Sequence, residues 1–315
     1  MKRERGVALL TAVILVALAT VVAAAIAFDT TLTARRAAGT AALDQALQLA
    51  AVPESIAAYV LTDQLGQAGT SVHGDQPWAR AFGPTEIVPG SFLEAQAVDL
   101  QGRFNLNDLV DASGARNALA TQVFERLLEN VGLEPAWAEL MVDWIDSDTQ
   151  PQSGGAEDSV YTGLTPGYRP PNRAITSTSE LLALRDFGAE RYARIAPYVA
   201  ALPRGTPINL CTASGALLDA LTEQQQWQPA PDALERNRSG KCFPTDSEFR
   251  ASFADPQVYD ALTQSLSVAQ TSTWFSLRAF VSIGTAEFAL YSLLHYENAP
   301  GGAPAVRVVQ RGFTE

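Results

Sequence analysis

An unbroken apolar run of membrane-spanning length stands near the start of the chain, over residues 7–28. A transmembrane helix needs about 20 such residues, whereas the apolar core of a secretory signal peptide ends after about 7 to 15. The run follows a short leader in which Lys2, Arg3 and Arg5 are basic. By the positive-inside rule the leader stays in the cytoplasm and the later residues cross the membrane. The pattern therefore predicts a single-pass protein whose bulk lies outside the cytoplasm.

Helix-forming residues with a small-residue face continue beyond the apolar run, up to about residue 50. Pro53 should interrupt or end this helix, because proline lacks the N–H that an interior helical hydrogen bond needs. A restart from Glu54 to Leu65 would place Pro53 in a first turn, where proline is tolerated. Together these segments predict an N-terminal helix over residues 7–65.

Strand patterns flank a long helical interval. Alternating apolar and polar positions predict a β-hairpin over residues 86–106, with a turn at Pro89 and Gly90. Helical spacing then dominates, and strand alternation returns over residues 273–311. This order predicts an α+β fold in which a helical domain is inserted between strands of one sheet. The predicted divisions are residues 66–106 for the first part of the sheet, 107–270 for the inserted all-α domain and 271–315 for the C-terminal strands.

Composition agrees with a globular protein exported from the cytoplasm. The net charge of −12 argues against nucleic acid as a partner and suits the binding of cations. Two cysteines, Cys211 and Cys242, lie in the part predicted to be exported. In an oxidising compartment we expect them to form one disulfide, which would stabilise the fold by roughly 3 to 4 kcal/mol.

An acidic block in a Gly- and Pro-rich stretch is the best candidate for a binding site. Asp146, Asp148 and Glu157 take positions one, three and twelve of a twelve-residue window, the offsets of an EF-hand loop. The sixth position is Pro151 rather than glycine, so the turn that an EF-hand needs is not available. A solvated acidic loop and a calcium site of another geometry both remain compatible with the residues. The side chains that could supply oxygen ligands are Asp146, Asp148, Glu157, Asp158 and Asn172.

The sequence gives little support to an enzyme. His73 and His295 are its two histidines, which excludes a zinc site made of three. Nucleophile elbows, phosphate-binding loops and dinucleotide fingerprints do not occur. Paired carboxylates such as Asp146 and Asp148 could serve a glycosidase, but their loop is better suited to a cation. We therefore predict a protein that is not an enzyme.

The junction between leader and apolar run resembles the class III prepilin signal of type IV pilins and type II secretion pseudopilins. Gly6 closes a short basic leader and is followed directly by the apolar helix. The resemblance implies that residues 1–6 are a leader peptide, that a prepilin peptidase cuts after Gly6, and that the new amine of Val7 is methylated.

Thr11, the fifth residue after that cleavage point, indicates which of these families the chain resembles. Most pilins and pseudopilins carry glutamate at this place, where the carboxylate would pair with the terminal amine of a neighbouring subunit. This chain lacks that glutamate and also carries the motifs given below. In both respects it resembles the general secretion pathway protein K family of minor pseudopilins. The motifs are Gly102 to Leu109 (GRFNLNDL), Asp143 to Asp148 (DWIDSD), Gly155 to Asp158 (GAED), Asn172, Ser179 to Leu181 (SEL) and Val309 to Arg311 (VQR).

Membership of that family implies a pilin-like fold, in which a long N-terminal helix packs on an antiparallel sheet that contains the inserted domain. It also implies an inner-membrane protein with a periplasmic head, calcium bound in the acidic block, and a place at the tip of the pseudopilus. The implied partners are I-type and J-type minor pseudopilins, the H-type and major pseudopilins, prepilin peptidase, and the secretin or exported cargo. Two alternatives remain open: a minor pilin of a type IV pilus, and a membrane-anchored, calcium-dependent periplasmic enzyme.

Overall fold

A single helix of 62 residues, α1 (Glu4–Leu65), leads into the head of the protein. The computed structural model describes residues 4–67, 71–298 and 304–313, so the first three residues of the predicted leader lie outside the described part. At 1.5 Å per residue the helix is about 93 Å long. Its apolar first part is exposed and is long and apolar enough to cross a membrane.

The predicted interruption at Pro53 is wrong, because α1 continues through that residue. An interior proline costs a helix roughly 3 kcal/mol, mainly through the hydrogen bond that it cannot make. Around Pro53 the helix packs against β-strands of the head, and Pro53 is itself buried. Packing on both sides of the proline therefore outweighs the local preference to end the helix.

Five strands form the main sheet, in the order β1-β2-β7-β8-β9, with every neighbouring pair antiparallel. Two further pairs, β3 with β4 and β5 with β6, are parallel and belong to the inserted domain. The strands in chain order are β1 (Phe82–Val88), β2 (Ser91–Asp99), β3 (Phe104–Asn105), β4 (Val199–Ala200), β5 (Ile208–Asn209), β6 (Val268–Ala269), β7 (Trp274–Ile283), β8 (Ala286–Asn298) and β9 (Pro304–Gly312).

The sheet buries one face against the second part of α1. Along β2, buried residues alternate with exposed ones, as expected for a sheet with one covered face. Leu93 on β2, Phe275 on β7 and Leu294 on β8 are almost fully buried with Ala46 and Leu61 of the helix. The pilin-like arrangement of a long helix on an antiparallel sheet is thus confirmed.

Three contacts fix how the sheet lies along α1. Gln45 donates to Ser91 Oγ at 3.4 Å, Ser292 Oγ donates to Glu54 at 2.6 Å, and the Val306 N–H donates to Thr62 Oγ1 at 3.3 Å. The start of β2 therefore lies nearer to the apolar run than its end. We call these the near end and the far end of the sheet. The residues between β2 and β7 leave and rejoin the sheet at the far end.

These intervening residues form a mainly helical domain with its own large hydrophobic core. Its helices after α1 are α2 (Ala118–Asn130), α3 (Trp137–Ile145), α4 (Asp158–Tyr161), α5 (Gly188–Ile195), α6 (Gly215–Thr222), α7 (Pro231–Arg238), α8 (Asp246–Ala251) and α9 (Pro256–Ser265). The predicted disulfide between Cys211 and Cys242 is confirmed, and it closes a separation of 31 residues. The inserted domain is not all-α, because it also contains the two short parallel strand pairs.

A buried carboxylate joins the inserted domain to the sheet. Asp99, the last residue of β2, accepts hydrogen bonds through Oδ2 from Asn209 at 2.9 Å, Thr212 at 2.6 Å and Ser272 at 2.6 Å. Its Oδ1 accepts a fourth hydrogen bond from the Gln101 N–H at 2.8 Å. Burial raises the pKa of Asp99, and these hydrogen bonds offset part of that rise.

The main sheet ends earlier than the predicted boundary at residue 106. Phe104 and Asn105 pair with Val199 and Ala200 instead of extending β2. The chain turns away at Gly102, where a Cβ would lie 2.6 Å from Thr212 Oγ1. This close approach requires glycine and directs the chain into the inserted domain.

An ion pair between exposed Arg311 and buried Glu54 connects β9 to α1. Arg311 on β9 donates to both carboxylate oxygens of Glu54 at 2.7 Å, and the Glu54 side chain is only 7% exposed. Burial alone would raise the pKa of Glu54, but the hydrogen bonds from Arg311 and Ser292 bring it below its ordinary value of 4.5.

We expect Arg311→Met to destabilise the full chain by about 2 kcal/mol at neutral pH, because it leaves the Glu54 carboxylate buried without its cation. Arg307→Met is the matched control, since Arg307 pairs with the more exposed Glu297 at 2.7 Å. Arg307→Met should lower the free energy of unfolding by less than about 1 kcal/mol. Urea unfolding of the detergent-solubilised protein measures both.

The effect of Arg311→Met should also depend on pH. Because the folded-state pKa of Glu54 is lowered, the ion pair stabilises above the ordinary pKa of 4.5, and this stabilisation is lost as the pH falls through the folded-state value. The difference between wild type and Arg311→Met should therefore shrink below pH 4.5. Equal losses for the two variants at neutral pH would contradict the role given to Arg311.

Candidate metal centre

Two carboxylates of the candidate site come from the end of α3. Asp143 lies in the last turn of the helix, and Asp146 follows its final residue with extended backbone angles. A spacing of three residues places both side chains on one side of the helix end. Asp143 is fully buried, and Asp146 is 1% exposed.

The following loop returns to bring a third carboxylate to the same place. Glu157 precedes α4 and is 2% exposed. One oxygen from each of Asp143, Asp146 and Glu157 lies within 4.8 Å of the others. The loop packs so closely on this cluster that a Cβ at Gly155 would overlap the Asp143 carboxylate. Glycine is therefore required at position 155.

Asn172 completes the cluster from the other end of the loop. Its backbone has the left-handed φ of 44°, which is uncommon for a residue other than glycine and marks a position held by its surroundings. The side-chain Nδ2 donates to the Asp148 carbonyl at 2.5 Å. Asn172 lies beside Glu157 and slightly lowers its pKa, although the two side chains do not form a well-aligned hydrogen bond.

The electrostatics of the cluster favour a bound cation. Burial, followed by repulsion from Asp143, Asp146 and Asp148, raises the pKa of Glu157 to about 7. Burial and the neighbouring Asp146 likewise raise the pKa of Asp143 to about 6, against hydrogen bonds from backbone N–H groups. The pKa of Asp146 is raised by the same two causes, with Asp148 as the neighbour. A cation among these groups would lower all three pKa values.

Unsatisfied oxygens provide a second indication. Among the described residues, Asp146 Oδ1, both oxygens of Glu157 and Asn172 Oδ1 are buried without a hydrogen-bond partner. Buried polar atoms normally have partners, and a bound ion is one explanation when the protein itself supplies none. Carboxylate and amide oxygens are the ligands of calcium, which takes six to eight of them. These residues therefore fit calcium better than zinc, which prefers nitrogen and sulfur.

The five predicted ligands divide into two groups. The structure brings the side chains of Asp146, Glu157 and Asn172 together. Asp148 is exposed, and its carboxylate accepts from the Gln150 N–H at 2.7 Å, while its backbone carbonyl contacts Asn172. The carboxylate of Asp158 faces Arg169 instead, at 3.5 Å.

Asp143 was missing from the predicted ligands. The EF-hand offsets start at Asp146 and therefore do not include Asp143, which lies three residues earlier. The three-residue spacing between Asp143 and Asp146 at a helix end was the signal that could have found it. Gln152 also contributes, since its N–H lies 3.1 Å from each oxygen of Asp143 and orients that carboxylate.

Asn107, two residues after β3, anchors the loop at a point after Asn172. Its Oδ1 accepts from the Ile175 N–H at 2.8 Å, and its Nδ2 donates to the carbonyls of Ile175 at 3.0 Å and Leu202 at 2.8 Å. The neighbouring Asn105 similarly accepts from the Leu202 N–H at 2.9 Å. The motif around residues 104–109 thus fixes the end of the loop that carries the cluster.

The N-terminal residues singled out in the sequence lie on α1. Thr11 Oγ1 donates back to the carbonyls of Val7 at 3.1 Å and Ala8 at 3.0 Å. This hydroxyl is satisfied within its own helix and does not require a partner subunit in the membrane. Gly6 is helical, directly before the exposed apolar part of α1.

Comparison with known proteins supports a single family. The sequence profile of "Type II secretion system (T2SS), protein K" matches residues 102–204. The chain is 32% identical to type II secretion system protein K of Pseudomonas aeruginosa, over 92% of this chain and 88% of that protein. It is 30% identical to the protein of the same name from Pectobacterium carotovorum subsp. carotovorum, over 99% of this chain and 97% of that protein.

A solved structure resembles most of the fold. One chain of the crystal structure of the GspK-GspI-GspJ complex from the enterotoxigenic Escherichia coli type 2 secretion system matches with a TM-score of 0.73 and 27% identity. The match covers 88% of this chain and 98% of that chain. The part of the fold that the match covers thus occurs in a component of a known secretion system. From this agreement of sequence and fold, we conclude that the chain belongs to the type II secretion system protein K family.

Proposed function

We propose that this protein is a structural minor pseudopilin that caps the tip of the periplasmic pseudopilus and starts its assembly with I-type and J-type minor pseudopilins. The observation that carries the proposal is the fold, which a component of the GspK-GspI-GspJ complex matches over 88% of this chain. Contacts with the H-type and major pseudopilins, and with the secretin or cargo, form part of the same proposal.

The position of the inserted domain explains how the protein would act as a cap. The domain leaves and rejoins the sheet at the far end, away from the apolar part of α1. A further subunit stacking beyond this end would meet the inserted domain before it could reach α1. Growth of the filament would then continue only from the membrane side.

Thr11 also supports a position at the tip of the filament. An ionised side chain within the membrane is costly and needs a partner. The Thr11 hydroxyl is uncharged and donates hydrogen bonds to carbonyls of its own helix, so it needs no partner from another subunit. A subunit placed first in the filament has no earlier neighbour to provide that partner.

Calcium would serve a structural role at the acidic cluster. Asp143, Asp146, Glu157 and Asn172 would hold it, and its charge would compensate three buried carboxylates. With the ion bound, the loop between α3 and the Asn107 contacts would be held by its ligands as well as by its ends. The donor chemistry and the unsatisfied oxygens support this proposal.

A non-enzymatic role agrees with the residues available. The chain's relatives are components of a secretion system. His295 stacks on Trp274 with ring centroids 4.0 Å apart, and burial lowers its pKa. We assign His295 to packing. The clustered carboxylates are assigned to the cation.

The protein would be anchored in the inner membrane by residues 7–28, with the head in the periplasm. Its processing would follow the prepilin pathway, with cleavage after Gly6 and methylation of Val7.

Processing gives one test. In cells that contain prepilin peptidase, intact-mass analysis should show a chain that begins at methylated Val7, and Gly6→Val should leave the leader attached. Gly39→Ala is the matched control, since a Cβ at Gly39 meets nothing within 4 Å. The control should be processed like wild type. A wild-type chain that keeps residues 1–6 in such cells would contradict a pseudopilin function.

Assembly tests the function directly. The full chain, co-expressed with I-type and J-type pseudopilins and purified in detergent, should give one complex that contains all three proteins by native mass spectrometry. Failure of the wild-type chain to bind either partner would refute the proposed place at the tip.

Removal of calcium tests the metal centre. Chelation should lower the melting temperature of the full chain by roughly 5 °C, because the fold loses the stabilisation that ligand binding gives. It should also expose residues 146–176 to protease. Glu157→Gln should abolish the response to chelator, whereas Asp158→Asn should keep it, since the Asp158 carboxylate faces Arg169. An identical melting temperature with and without chelator would refute a structural ion.

A further inference from the structure

The face of the sheet that points away from α1 carries two exposed phenylalanines on interior strands. Phe92 on β2 is 46% exposed, and Phe280 on β7 is 49% exposed. Alternation along these strands places their neighbours Leu93 and Val281 in the core on the opposite face. We call the side that holds Phe92 and Phe280 the outer face. Large aromatic side chains exposed in the middle of a sheet indicate a surface that another molecule covers.

A groove of about 520 Å³ runs over this part of the outer face. Pro84, Phe92, Phe280 and Ala289 are among the residues that line it. It lies at the near end of the sheet, because β2 begins there with Ser91, the residue that Gln45 of α1 contacts.

The inserted domain covers only the other end of the outer face. There, residues 176–179 and 199–201 line an open pocket together with Ser276 on β7 and Leu293 on β8. The groove therefore remains open on the side of the head that is closer to the membrane.

Carboxylates surround the aromatic residues of the groove. Glu94 and Glu287 line it, and Glu86 on β1 pairs directly with Phe92. All three glutamates are exposed. Aromatic rings with an acidic border complement a protein segment that carries Lys or Arg beside apolar side chains, since the cation can contact both. The same border repels anionic lipid headgroups.

We propose that this groove binds the head of the adjacent pseudopilin on the membrane side, through a segment of that head with basic and apolar side chains. This inference rests on the proposed function. A subunit at the end of a filament can have neighbours only on its membrane side, and the groove opens there while the inserted domain covers the far end. Phe280 lies between Glu94 and Ala289 in the pairing of the strands and forms the centre of the contact.

Site-specific crosslinking in membranes provides the test. A photoreactive amino acid replaces Phe280 in the full chain, which is co-expressed with I-type and J-type pseudopilins. We expect a crosslink to one of these two partners. In parallel, Phe280→Ser and the double variant Glu94→Lys with Glu287→Lys should each weaken co-purification of that partner at least about tenfold, as removal of a central aromatic or of complementary charge does at interfaces.

Matched substitutions on the inserted domain are the controls. Val258→Ser removes an apolar side chain that is 43% exposed on α9, and Glu235→Lys reverses an exposed charge on α7. Both should bind partners like wild type. Melting temperatures of all variants show whether they fold, and the charge variants keep the test valid if Phe280→Ser is unstable.

The outcomes separate this inference from the proposed function. If the wild-type chain forms the complex but the groove variants bind equally well, the groove is not the docking surface and the tip assignment stands. A crosslink only to a second copy of this chain, or to lipid, would also overturn the inference. If the wild-type chain binds neither partner, the proposed function fails first.

Discussion

The buried carboxylate of Asp99 is the contact on which the arrangement of the head depends. A carboxylate removed from water is costly unless hydrogen bonds satisfy its oxygens. At Asp99 the donors come from the turn after β2, from β5 and the turn that follows it, and from Ser272 just before β7. These segments must be in place together for the carboxylate to be satisfied. The sheet and the inserted domain therefore hold each other in a fixed relation although their residues are far apart in the chain.

The acidic cluster also consists of buried carboxylates, but it differs from Asp99 in how their oxygens are satisfied. The loop that carries the cluster is fixed at its start by Gln152 on Asp143 and at its end by Asn107 on Ile175. These contacts bring carboxylates together but leave several of their oxygens without partners in the described residues. Asp99 is satisfied by hydrogen bonds from within the protein. The cluster around Glu157 instead has the composition of a site that a cation completes.

The stem and head present surface regions of different chemistry. The first part of α1 exposes apolar side chains suited to a membrane or to other helices, and its second part is buried on the sheet. The inserted domain covers the far end of the head. Between these regions, the groove around Phe280 leaves an apolar surface at the near end of the sheet. This order of surfaces along one axis is what a subunit at the end of a filament requires.

Local pattern in the sequence determined a large part of this description. The apolar run, the strand alternation on either side of a helical interval, and the pair of cysteines depend on neighbouring residues or on composition, so they could be recognised before any contact was known. The acidic block marked a candidate binding site, although its residues alone left both a solvated loop and a calcium site open. The resemblance of the leader and of the acidic motifs then identified the family.

Tertiary structure decided what depends on residues distant in sequence. Helix propensity predicted a break at Pro53, but packing on the sheet continues the helix through it. Asp143 joined the acidic cluster only because the loop returns to the end of α3. The exposure of Phe280 could not be predicted either, since alternation marks two faces of a strand without saying how far a distant domain covers each one. Sequence periodicity reports the local backbone, whereas burial and ligand geometry are set by long-range contacts, which form only when the whole chain has folded.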